Sequence, residues 1–403
     1  MTAICMVVQA FYDTDVRVRR KAEALVGAGY SVDVLALRGS DGRKQYVLNG
    51  VNVRTLGLGK QRGSLVRYLF EYAAFFAWAL VTIPALMRRR RYAVIDVNTL
   101  PDFLIFAAIG GRFLGARLVL DMHEITPEFY MSKYGVAEDS WVARLLRFQE
   151  RISFNFADRV LTINKPIEDL FVARGLPRAK STIVMNAADE SRFASATAPA
   201  TTPADASTFA MIYHGTLTRI YGLDLAIEAF GLVHDQMPGA ELWILGSGTE
   251  SAPLAAQAQR LGLSNTVKLI GQVPPAEIPG WLRRATVGIL PIRQDVFLDL
   301  AFPNKLPEFI VSGKPVIVSR LKAISSYFSD DALAYAVPNS AEELGKTMLR
   351  VYREPALRDA LVRQARLEYS AIRWDIMKRR YLLLIEELVG PVTEQARSVP
   401  SRV

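Results

Sequence analysis

Cysteine is nearly absent from this sequence, and no recognisable export signal opens it. The single cysteine, Cys5, lies in an apolar run near the amino terminus, so an intramolecular disulfide framework is excluded and a reducing compartment is expected. The opening residues, Met1 to Val8, contain no basic leader and no long apolar core before a cleavage site, which favours a first strand over a signal peptide. We therefore expect a cytoplasmic protein.

The composition excludes both a disordered chain and a single small core. Apolar residues make up 51% of the 403 residues and charged residues 22%, which is the balance of a globular protein. Because single cores usually split beyond about 250 to 300 residues, the length predicts two domains. The formal charge of +9 indicates anionic partners but does not choose among phosphates, nucleic acid and acidic lipid.

Short β-branched runs recur along the first half of the chain and alternate with helical patterns. The stretch Val16 to Gly27 places Val18, Ala22, Leu25 and Val26 on one helical face and ends at a glycine. Buried strands are predicted at Ile4–Val8, Ser31–Leu37, Val94–Val97, Arg117–Asp121, Arg159–Ile163 and Thr182–Met185. This alternation predicts a doubly wound sheet.

A small-residue and proline-rich tract at residues 194–207 interrupts the alternation and is typical of a linker. The alternation then restarts, with strands predicted at Phe209–Tyr213, Glu241–Leu245, Thr266–Ile270, Val287–Leu290 and Pro315–Ser319. The sequence thus predicts an α/β protein of two Rossmann-like domains facing across a cleft, at residues 1–193 and 208–372. Residues 373–403 are expected to form an amphipathic helix that can cross back to the first domain, and a tail.

The segment from Phe302 to Ile317 combines a proline, polar residues, an apolar helical turn, a glycine stop and a strand. This order predicts a helix whose amino-terminal end opens at the top of the second sheet. Backbone N–H groups and Lys305 can receive a diphosphate there, and Glu308 can accept hydrogen bonds from two ribose hydroxyls. The alternative is an ordinary amphipathic helix with Lys305 and Glu308 in solvent.

This segment and four others resemble, in the family's order, the retaining GT-B enzymes of glycosyltransferase family 4. Pro303 to Glu308, with Gly313 to Val316, resembles the donor-site signature of the family. The four other matches are Asp15–Val18 with Ala28–Val32, Gly115–Glu124, Asn186–Phe193 and Tyr213–Asp224. Five matches on a fold predicted independently are hard to obtain by chance.

The resemblance implies a donor site in the second domain and an acceptor site in the first. It implies that Lys305 and Arg219 stabilise the leaving diphosphate, and that His123 contacts the transferred sugar from the end of a strand. The alternative for His123 is a cap on the next helix or a hydrogen bond to a neighbouring carbonyl. Further donor contacts are expected from Glu308, Asn304, Gly215, Thr216 and Leu306, and acceptor contacts from Asp15 and Arg17.

The sequence departs from the family pattern at two places. Counting back from Glu308 puts Leu300 where many members have a first glutamate, with Asp299 beside it. In the opening loop of the second domain, Thr216 and Tyr221 stand where members commonly have an arginine and a lysine. Arg219 is the nearest cation in that loop, so the resemblance carries the phosphate role to Lys305 first and to Arg219 second.

We expect no metal and no cofactor besides the nucleoside diphosphate sugar. Asp13 and Asp15 imitate the metal-binding pair of the other glycosyltransferase architecture, but they directly follow the first strand, far from the inferred donor domain. Asp15 is instead placed to cap the following helix. The stretch Gly246 to Gly248 lacks the full glycine fingerprint of a nucleotide loop, and a strand-end turn accounts for it.

The sequence therefore predicts transfer of a sugar, with retention, from a nucleoside diphosphate sugar to a hydroxyl of a glycan or lipid-linked acceptor. No placed nucleophile is evident, and none is required if the leaving phosphate takes the acceptor's proton. One alternative is a nucleotide-sugar epimerase of the same architecture. The other is a nucleic-acid-binding protein, but no aromatic-basic RNA motif accompanies Arg88 to Arg91, so no nucleic-acid partner is expected.

The stretch from Tyr68 to Met87 is long and apolar enough to suggest a membrane span. Glu71 and Pro84 argue against a clean span, and a span here would also cut the first sheet between its strands. We expect a helix packed on that sheet, whose basic rim docks on the inner face of a membrane; the rim consists of Arg88 to Arg91 with Lys60, Arg62 and Arg67. The alternative is a buried helix with a solvated basic end.

Overall fold

The computed structural model describes residues 1–58, 65–188, 190, 193 and 208–390, which divide into two compact units. The first unit comprises Met1–Met185 and the chain from Asp375 onward, and the second comprises Asn186–Trp374. The predicted linker, residues 194–207, lies outside the described residues, as do Lys60, Arg62 and the tail after residue 390.

The first unit is built on one sheet of eight strands. These are β1 (Ala3–Phe11), β2 (Ser31–Leu37), β3 (Gln45–Leu48), β4 (Val51–Leu56), β5 (Tyr92–Asn98), β6 (Arg117–Asp121), β7 (Arg159–Thr162) and β8 (Ser181–Ile183). Their order across the sheet is β3-β4-β2-β1-β5-β6-β7-β8. The pairings are parallel except that of β3, which runs antiparallel to β4 at the edge.

The described part of the first unit has six α-helices before the linker. They are α1 (Val16–Gly27), α2 (Leu65–Met87), α3 (Ile109–Phe113), α4 (Thr126–Tyr134), α5 (Trp141–Phe156) and α6 (Lys165–Ala173). Helix α1 begins where the Asp15 carboxylate accepts a hydrogen bond of 3.1 Å from the backbone N–H of Val18, which satisfies one otherwise unpaired donor. Its face of Val18, Ala22 and Leu25 is fully buried against the sheet.

The second unit is a wholly parallel sheet of six strands. These are β9 (Phe209–His214), β10 (Ala240–Leu245), β11 (Val267–Gly271), β12 (Val287–Leu290), β13 (Val316–Ser319) and β14 (Ala334–Ala336). The order is β11-β10-β9-β12-β13-β14. The chain therefore reverses its direction across the sheet between β9 and β12, and crevices at such switch points are where doubly wound folds bind ligands.

Among residues 208–374, seven α-helices connect the strands of the second unit or follow them. They are α7 (Leu223–Val233), α8 (Ser251–Arg260), α9 (Ile278–Arg284), α10 (Lys305–Val311), α11 (Lys322–Ser325), α12 (Ala341–Arg353) and α13 (Pro355–Tyr369). Helix α14 (Trp374–Val389) then returns to the first unit, where Tyr381, Leu384 and Ile385 join the core formed by β1, β2 and α1.

The two doubly wound α/β units confirm the predicted fold class, and each strand predicted from the sequence overlaps an observed one. Strands β3, β4 and β14 were not predicted from the sequence. In β4 buried residues alternate with half-buried ones such as Asn52 and Arg54, because the strand lies next to the sheet edge. The continuous β-branched run that marks a strand buried on both faces is therefore lacking there.

Candidate functional site

A cavity of about 330 Å³ opens at the carboxyl ends of β9, β10 and β11 in the second unit. Its walls are the loops that follow these strands and the carboxylate-bearing face of α10; the lining residues include His214, Gly215, Thr216, Gly246, Ser247, Gln272, Ile278 and Glu308. It therefore lies at the carboxyl edge of the sheet, beside the switch point, where doubly wound folds bind ligands. Its volume lies within the range of small-molecule sites, about 300 to 1,000 Å³.

Glycines allow two of the cavity loops to touch through their backbones. Gly215 and Gly246 have φ angles of +131° and +137°, where side chains are strained. A Cβ atom on Gly246 would lie 1.8 Å from the carbonyl oxygen of Gly215, and the Gly215 N–H donates to Leu245 O over 2.9 Å. The Gly246 to Gly248 stretch is thus a strand-end turn, as expected, but Gly246 and Ser247 also line the cavity.

Lys305, the first residue of α10, lies beside the cavity loop and has two aromatic partners. A Cβ atom on Gly215 would lie 2.1 Å from Lys305 Cε, so the lysine stem packs directly on the glycine. The ammonium lies 4.2 Å from the centre of the Tyr221 ring and 5.3 Å from that of Tyr213, which are cation–π distances. Burial lowers the pKa of Lys305 to about 8, although Glu308 opposes the shift.

Glu308 and His214 face each other at the wall of the cavity. The Glu308 Oε2 atom lies 3.4 Å from His214 Nε2, and the Glu308 side chain keeps a quarter of its surface exposed. Burial, assisted by the charge of Lys305, lowers the pKa of His214 to about 3. The imidazole is therefore neutral at pH 7, and the Glu308 carboxyl group lines the cavity.

The other residues predicted for the donor site divide into two groups. Gly215 and Thr216 line the cavity, whereas Asn304, Leu306 and Arg219 do not. Leu306 is fully buried in the core, and Asn304 and Arg219 are exposed just before α10 and on the turn after β9, respectively.

Asp299 stands beside the position where the family's first glutamate is missing. Its carboxylate is held by hydrogen bonds from nearby residues. Its Oδ1 atom accepts hydrogen bonds of 3.0 Å from the Lys322 backbone and from the Gln294 side chain. Sequence reasoning missed His214, Gln272 and Ile278 as lining residues, since only their positions at strand ends and on α9 bring them to the cavity.

His123 of the first unit follows β6 and is held by two hydrogen bonds. Its backbone N–H donates to Thr99 Oγ1 over 2.9 Å, and its ring Nε2 lies 3.0 Å from Asp121 Oδ2. The residue is 8% exposed. Burial and the charge of Arg17 lower the pKa of His123, and Asp121 opposes that shift. The ring is thus fixed at the carboxyl edge of the first sheet.

Asp121 also belongs to a buried ionic cluster around Lys21, which is 1% exposed. The ammonium binds Asp121 Oδ2, Asn98 Oδ1 at 2.7 Å and Asp96 Oδ2 at 3.3 Å. The Tyr381 hydroxyl of α14 donates to Asp96 over 2.7 Å. Sequence reasoning missed this cluster, although a lysine on the apolar face of α1 was a signal that it needs a buried partner.

Arg17, predicted on the acceptor side, lies within electrostatic range of His123 and Glu124. Its charge lowers the pKa of His123. Burial raises the pKa of Glu124, and the charge of Arg17 opposes that rise. The buried Nη1 atom of Arg17 has no hydrogen-bond partner among the described residues. Asp15 caps α1. Asp13 accepts hydrogen bonds from Arg43 and Tyr46. In the part of the chain that the structure describes, no three His, Cys, Asp or Glu residues form a group that could hold a metal.

Among the described residues, one helix is long and apolar enough to cross a membrane. It is α2, and 28% of its window Phe70–Met87 is buried. One face, which includes Phe75, Ala79 and Ile83, packs inward, whereas Phe70 and Val81 are exposed. Glu71 on the inner face is paired with Arg67 at 3.0 Å. Of the arginine run that follows, Arg90 is paired with Asp33 at 3.2 Å.

Two doubly wound α/β units, the second with a cavity at the carboxyl edge of its sheet, are typical of enzymes that bind nucleotide-linked substrates. The chain matches two known protein families. The family described as "Glycosyl transferase 4-like domain" matches residues 14–187, and that described as "Glycosyl transferases group 1" matches residues 208–354. The chain belongs to the GT-B glycosyltransferases of family 4 type, as the sequence motifs indicated.

Curated relatives match parts of the chain. A D-inositol 3-phosphate glycosyltransferase of Arthrobacter sp. (strain FB24) is 25% identical over 174 residues, which are 42% of this chain and 40% of that protein. The putative colanic acid biosynthesis glycosyltransferase WcaL of Escherichia coli (strain K12) is 29% identical over 189 residues, or 45% of this chain and 46% of that protein. The chain thus spans less than half the length of each. These matches give the epimerase alternative no support.

Solved structures with the same fold match almost the whole chain. Sucrose-phosphate synthase from Thermosynechococcus elongatus superposes with a TM-score of 0.73 at 19% identity, covering 96% of this chain and 99% of that one. Anabaena Alr3699/HepE in complex with UDP-glucose superposes with a TM-score of 0.67 at 15% identity, covering 96% and 100%. At these identities the likeness establishes the fold alone.

Proposed function

We propose that this protein transfers a sugar from a nucleoside diphosphate sugar to a hydroxyl of a glycan or lipid-linked acceptor, with retention at the anomeric carbon. The observation that carries the proposal is the cavity of the second unit, where Glu308 and the glycine loops lie beside the ammonium of Lys305. A carboxylate suits ribose hydroxyls and a partly desolvated cation suits a diphosphate. The complex of HepE with UDP-glucose, on the same fold, supports this type of donor.

The chemistry proposed for Lys305 is stabilisation of the leaving group. Cleavage of the anomeric bond leaves negative charge on the diphosphate while the sugar becomes oxocarbenium-like. A cation fixed between Tyr213 and Tyr221 is already oriented and largely desolvated, so it stabilises developing charge without reorganisation. We assign Arg219 a supporting role, since an exposed arginine on the same loop can reach toward phosphate. The leaving phosphate takes the acceptor's proton, and no metal is used.

We assign acceptor and sugar contacts to the first unit. His123 is proposed to contact the transferred sugar, and Arg17 and Asp15 to contact the acceptor. The buried, unpartnered Nη1 atom of Arg17 supports a ligand there, because a guanidinium nitrogen without a partner is costly. Several relatives are glycosyltransferases of polysaccharide synthesis, including WcaL and the amylovoran enzyme AmsK of Erwinia amylovora, which favours a glycan acceptor over nucleic acid.

The test is transfer from uridine and guanosine diphosphate sugars to a pool of glycan and lipid-linked acceptors. We expect acceptor-dependent release of nucleoside diphosphate, and nuclear magnetic resonance of the product should give the donor's anomeric configuration. Lys305→Ala should abolish most turnover, whereas Lys322→Ala, which removes an exposed lysine of the same unit, should not. Inversion at the anomeric carbon would refute retention, and a new sugar nucleotide formed without acceptor would favour an epimerase.

We also propose that the first unit docks on an anionic membrane surface without spanning it. The arginines Arg88, Arg89 and Arg91 are exposed at the end of α2. Helix α5 also supports membrane docking, because its apolar stripe faces outward. The exposed fractions of Trp141, Leu145, Phe148 and Ile152 are 71%, 54%, 60% and 36%. These side chains recur at helical spacing beside exposed Arg144 and Arg151. Apolar side chains flanked by arginines are typical of a helix lying in a bilayer interface.

Flotation with anionic and neutral liposomes tests the docking. Each cation near an anionic leaflet contributes about 1 kcal/mol, so changing Arg88, Arg89 and Arg91 together to serine should weaken binding roughly a hundredfold. The matched control changes three exposed arginines of the second unit, Arg260, Arg350 and Arg363, to serine. It removes the same charge and should leave flotation intact. Binding that survives high salt and the first triple variant, or a protein that never floats, would contradict the proposal.

A further inference from the structure

We infer that Asp121 is a positioning residue: it holds His123 as the tautomer that carries its proton on Nε2, and so leaves Nδ1 as a hydrogen-bond acceptor for a hydroxyl of the sugar. The inference rests on the sugar-binding role proposed for His123. It adds a direction to that contact, because the sugar must donate the hydrogen and the imidazole must accept it.

The geometry around Asp121 fixes which nitrogen carries the proton. Asp121 Oδ2 lies 3.0 Å from His123 Nε2 and also receives the ammonium of Lys21. An ionised carboxylate only accepts hydrogen bonds, so Nε2 must be the donor in this contact. A neutral imidazole has a single N–H, so the other nitrogen has a free lone pair. Among the described residues Nδ1 has no hydrogen-bond partner.

The surrounding cluster keeps Asp121 ionised although it is 4% exposed. Burial favours the neutral acid, but Lys21 and His123 outweigh it and hold the pKa of Asp121 below its usual range. The other carboxylate, Asp96, shares the same lysine and also receives the Tyr381 hydroxyl and the Asn98 amide. Asp96 therefore has its own hydrogen-bond donors and does not displace Asp121 from Lys21.

The surroundings of His123 also keep it a neutral acceptor, although Asp121 by itself favours the charged ring. Burial and the nearby charge of Arg17 disfavour a second proton on the ring. A neutral ring with its lone pair on Nδ1 accepts from a hydroxyl, and it cannot donate from that nitrogen to an ether or a carbonyl oxygen. The orientation of the ring thus depends on α1, β5, β6 and the returning helix α14, which supply Lys21, Asp96, Asp121 and Tyr381.

The experiment is a nitrogen-15 correlation spectrum of the full chain labelled at histidine, which is readable because the sequence has three histidines. At neutral pH the expected His123 spectrum has a protonated Nε2 and an unprotonated Nδ1. Asp121→Asn should shift His123 toward the other tautomer or a mixture, because an amide can donate as well as accept. A wild-type ring protonated on Nδ1, or an unchanged tautomer in folded Asp121→Asn, would overturn the inference.

The wild-type spectrum decides the tautomer even if Asp121→Asn fails to fold. If it folds, kcat/KM for the donor sugar should fall on the order of 10- to 100-fold, as for other partners that orient a functional histidine. Its affinity for the nucleoside diphosphate alone should not change, because that site lies in the second unit. Asp235→Asn, which removes a carboxylate 3.3 Å from the half-buried His234, should change neither quantity.

The two proposals can fail separately. If His123 has the expected tautomer but the second unit binds no nucleoside diphosphate sugar, the proposed function is refuted and Asp121 keeps its orienting role. If donor is bound and transferred but His123 is protonated on Nδ1, the proposed function stands and the inference about Asp121 is wrong.

Discussion

Lys305 should make donor binding depend on pH in the alkaline range. An ammonium that binds the diphosphate makes a hydrogen bond to a charged group, which contributes about 1.5 to 3 kcal/mol, or roughly 10- to 150-fold in Kd. Lys305→Met should lose this affinity at pH 7. Because burial lowers the pKa of Lys305 to about 8, the wild-type charge is present below that pH and lost above it. Wild-type affinity should therefore fall about tenfold per pH unit above 8, until it approaches that of the variant.

Calorimetric titration with uridine and guanosine diphosphates from pH 6.5 to about 9.5 measures this effect, with Lys305→Met as the flat reference. Lys322→Met is the matched control, since it removes an exposed lysine at the start of α11, and it should reproduce the wild-type curve. Parallel pH profiles for wild type and Lys305→Met would refute the reasoning, because they would show that Lys305 carries no charge that the ligand senses.

Three further predictions concern the second unit and the metal. Glu308→Gln should weaken nucleoside diphosphate sugar binding by about 1.5 to 3 kcal/mol in calorimetry while leaving the melting temperature unchanged. Glu228→Gln, at an exposed position of α7, is the control, and equal affinities would exclude Glu308 as the ribose ligand. Gly246→Ala should destabilise the second unit in thermal unfolding, because its Cβ would meet Gly215 O at 1.8 Å; an unchanged unfolding temperature would contradict this packing. Transfer activity should survive a chelator, and its abolition would reveal a metal.

The sequence was informative where local pattern decides structure. Continuous β-branched runs located the buried strands, and the proline-to-glycine punctuation around Lys305 located α10 and the position of Glu308. The buried ionic cluster around Lys21 was not predicted, because Lys21 and Asp96 are 75 residues apart and only the sheet order brings them together. The outward stripe of α5 was also missed: periodicity reveals an apolar face, but not whether that face packs inward, and here Glu150 takes the inner face with Arg174.

Tyr221 shows a second limit of sequence reasoning. As a departure from the family's lysine it reads as a lost cation, yet its ring lies 4.2 Å from the Lys305 ammonium. Tyr221 therefore lacks the family's charge but supplies an aromatic partner for the charge of Lys305. The sequence does not reveal this contact, because Tyr221 lies on the turn after β9 and Lys305 at the start of α10.

The most direct test of the central claim is a thermal-shift screen of the purified chain against uridine and guanosine diphosphate sugars. At about 100 times Kd a ligand stabilises the folded state by about 2.7 kcal/mol, which for a unit of this size corresponds to roughly 5 to 10 °C. We predict such a shift with at least one nucleotide sugar, and its reduction to about half or less in Glu308→Gln at the same ligand concentration. If no nucleotide sugar in either series raises the unfolding temperature, the cavity is not a donor site and the account is contradicted.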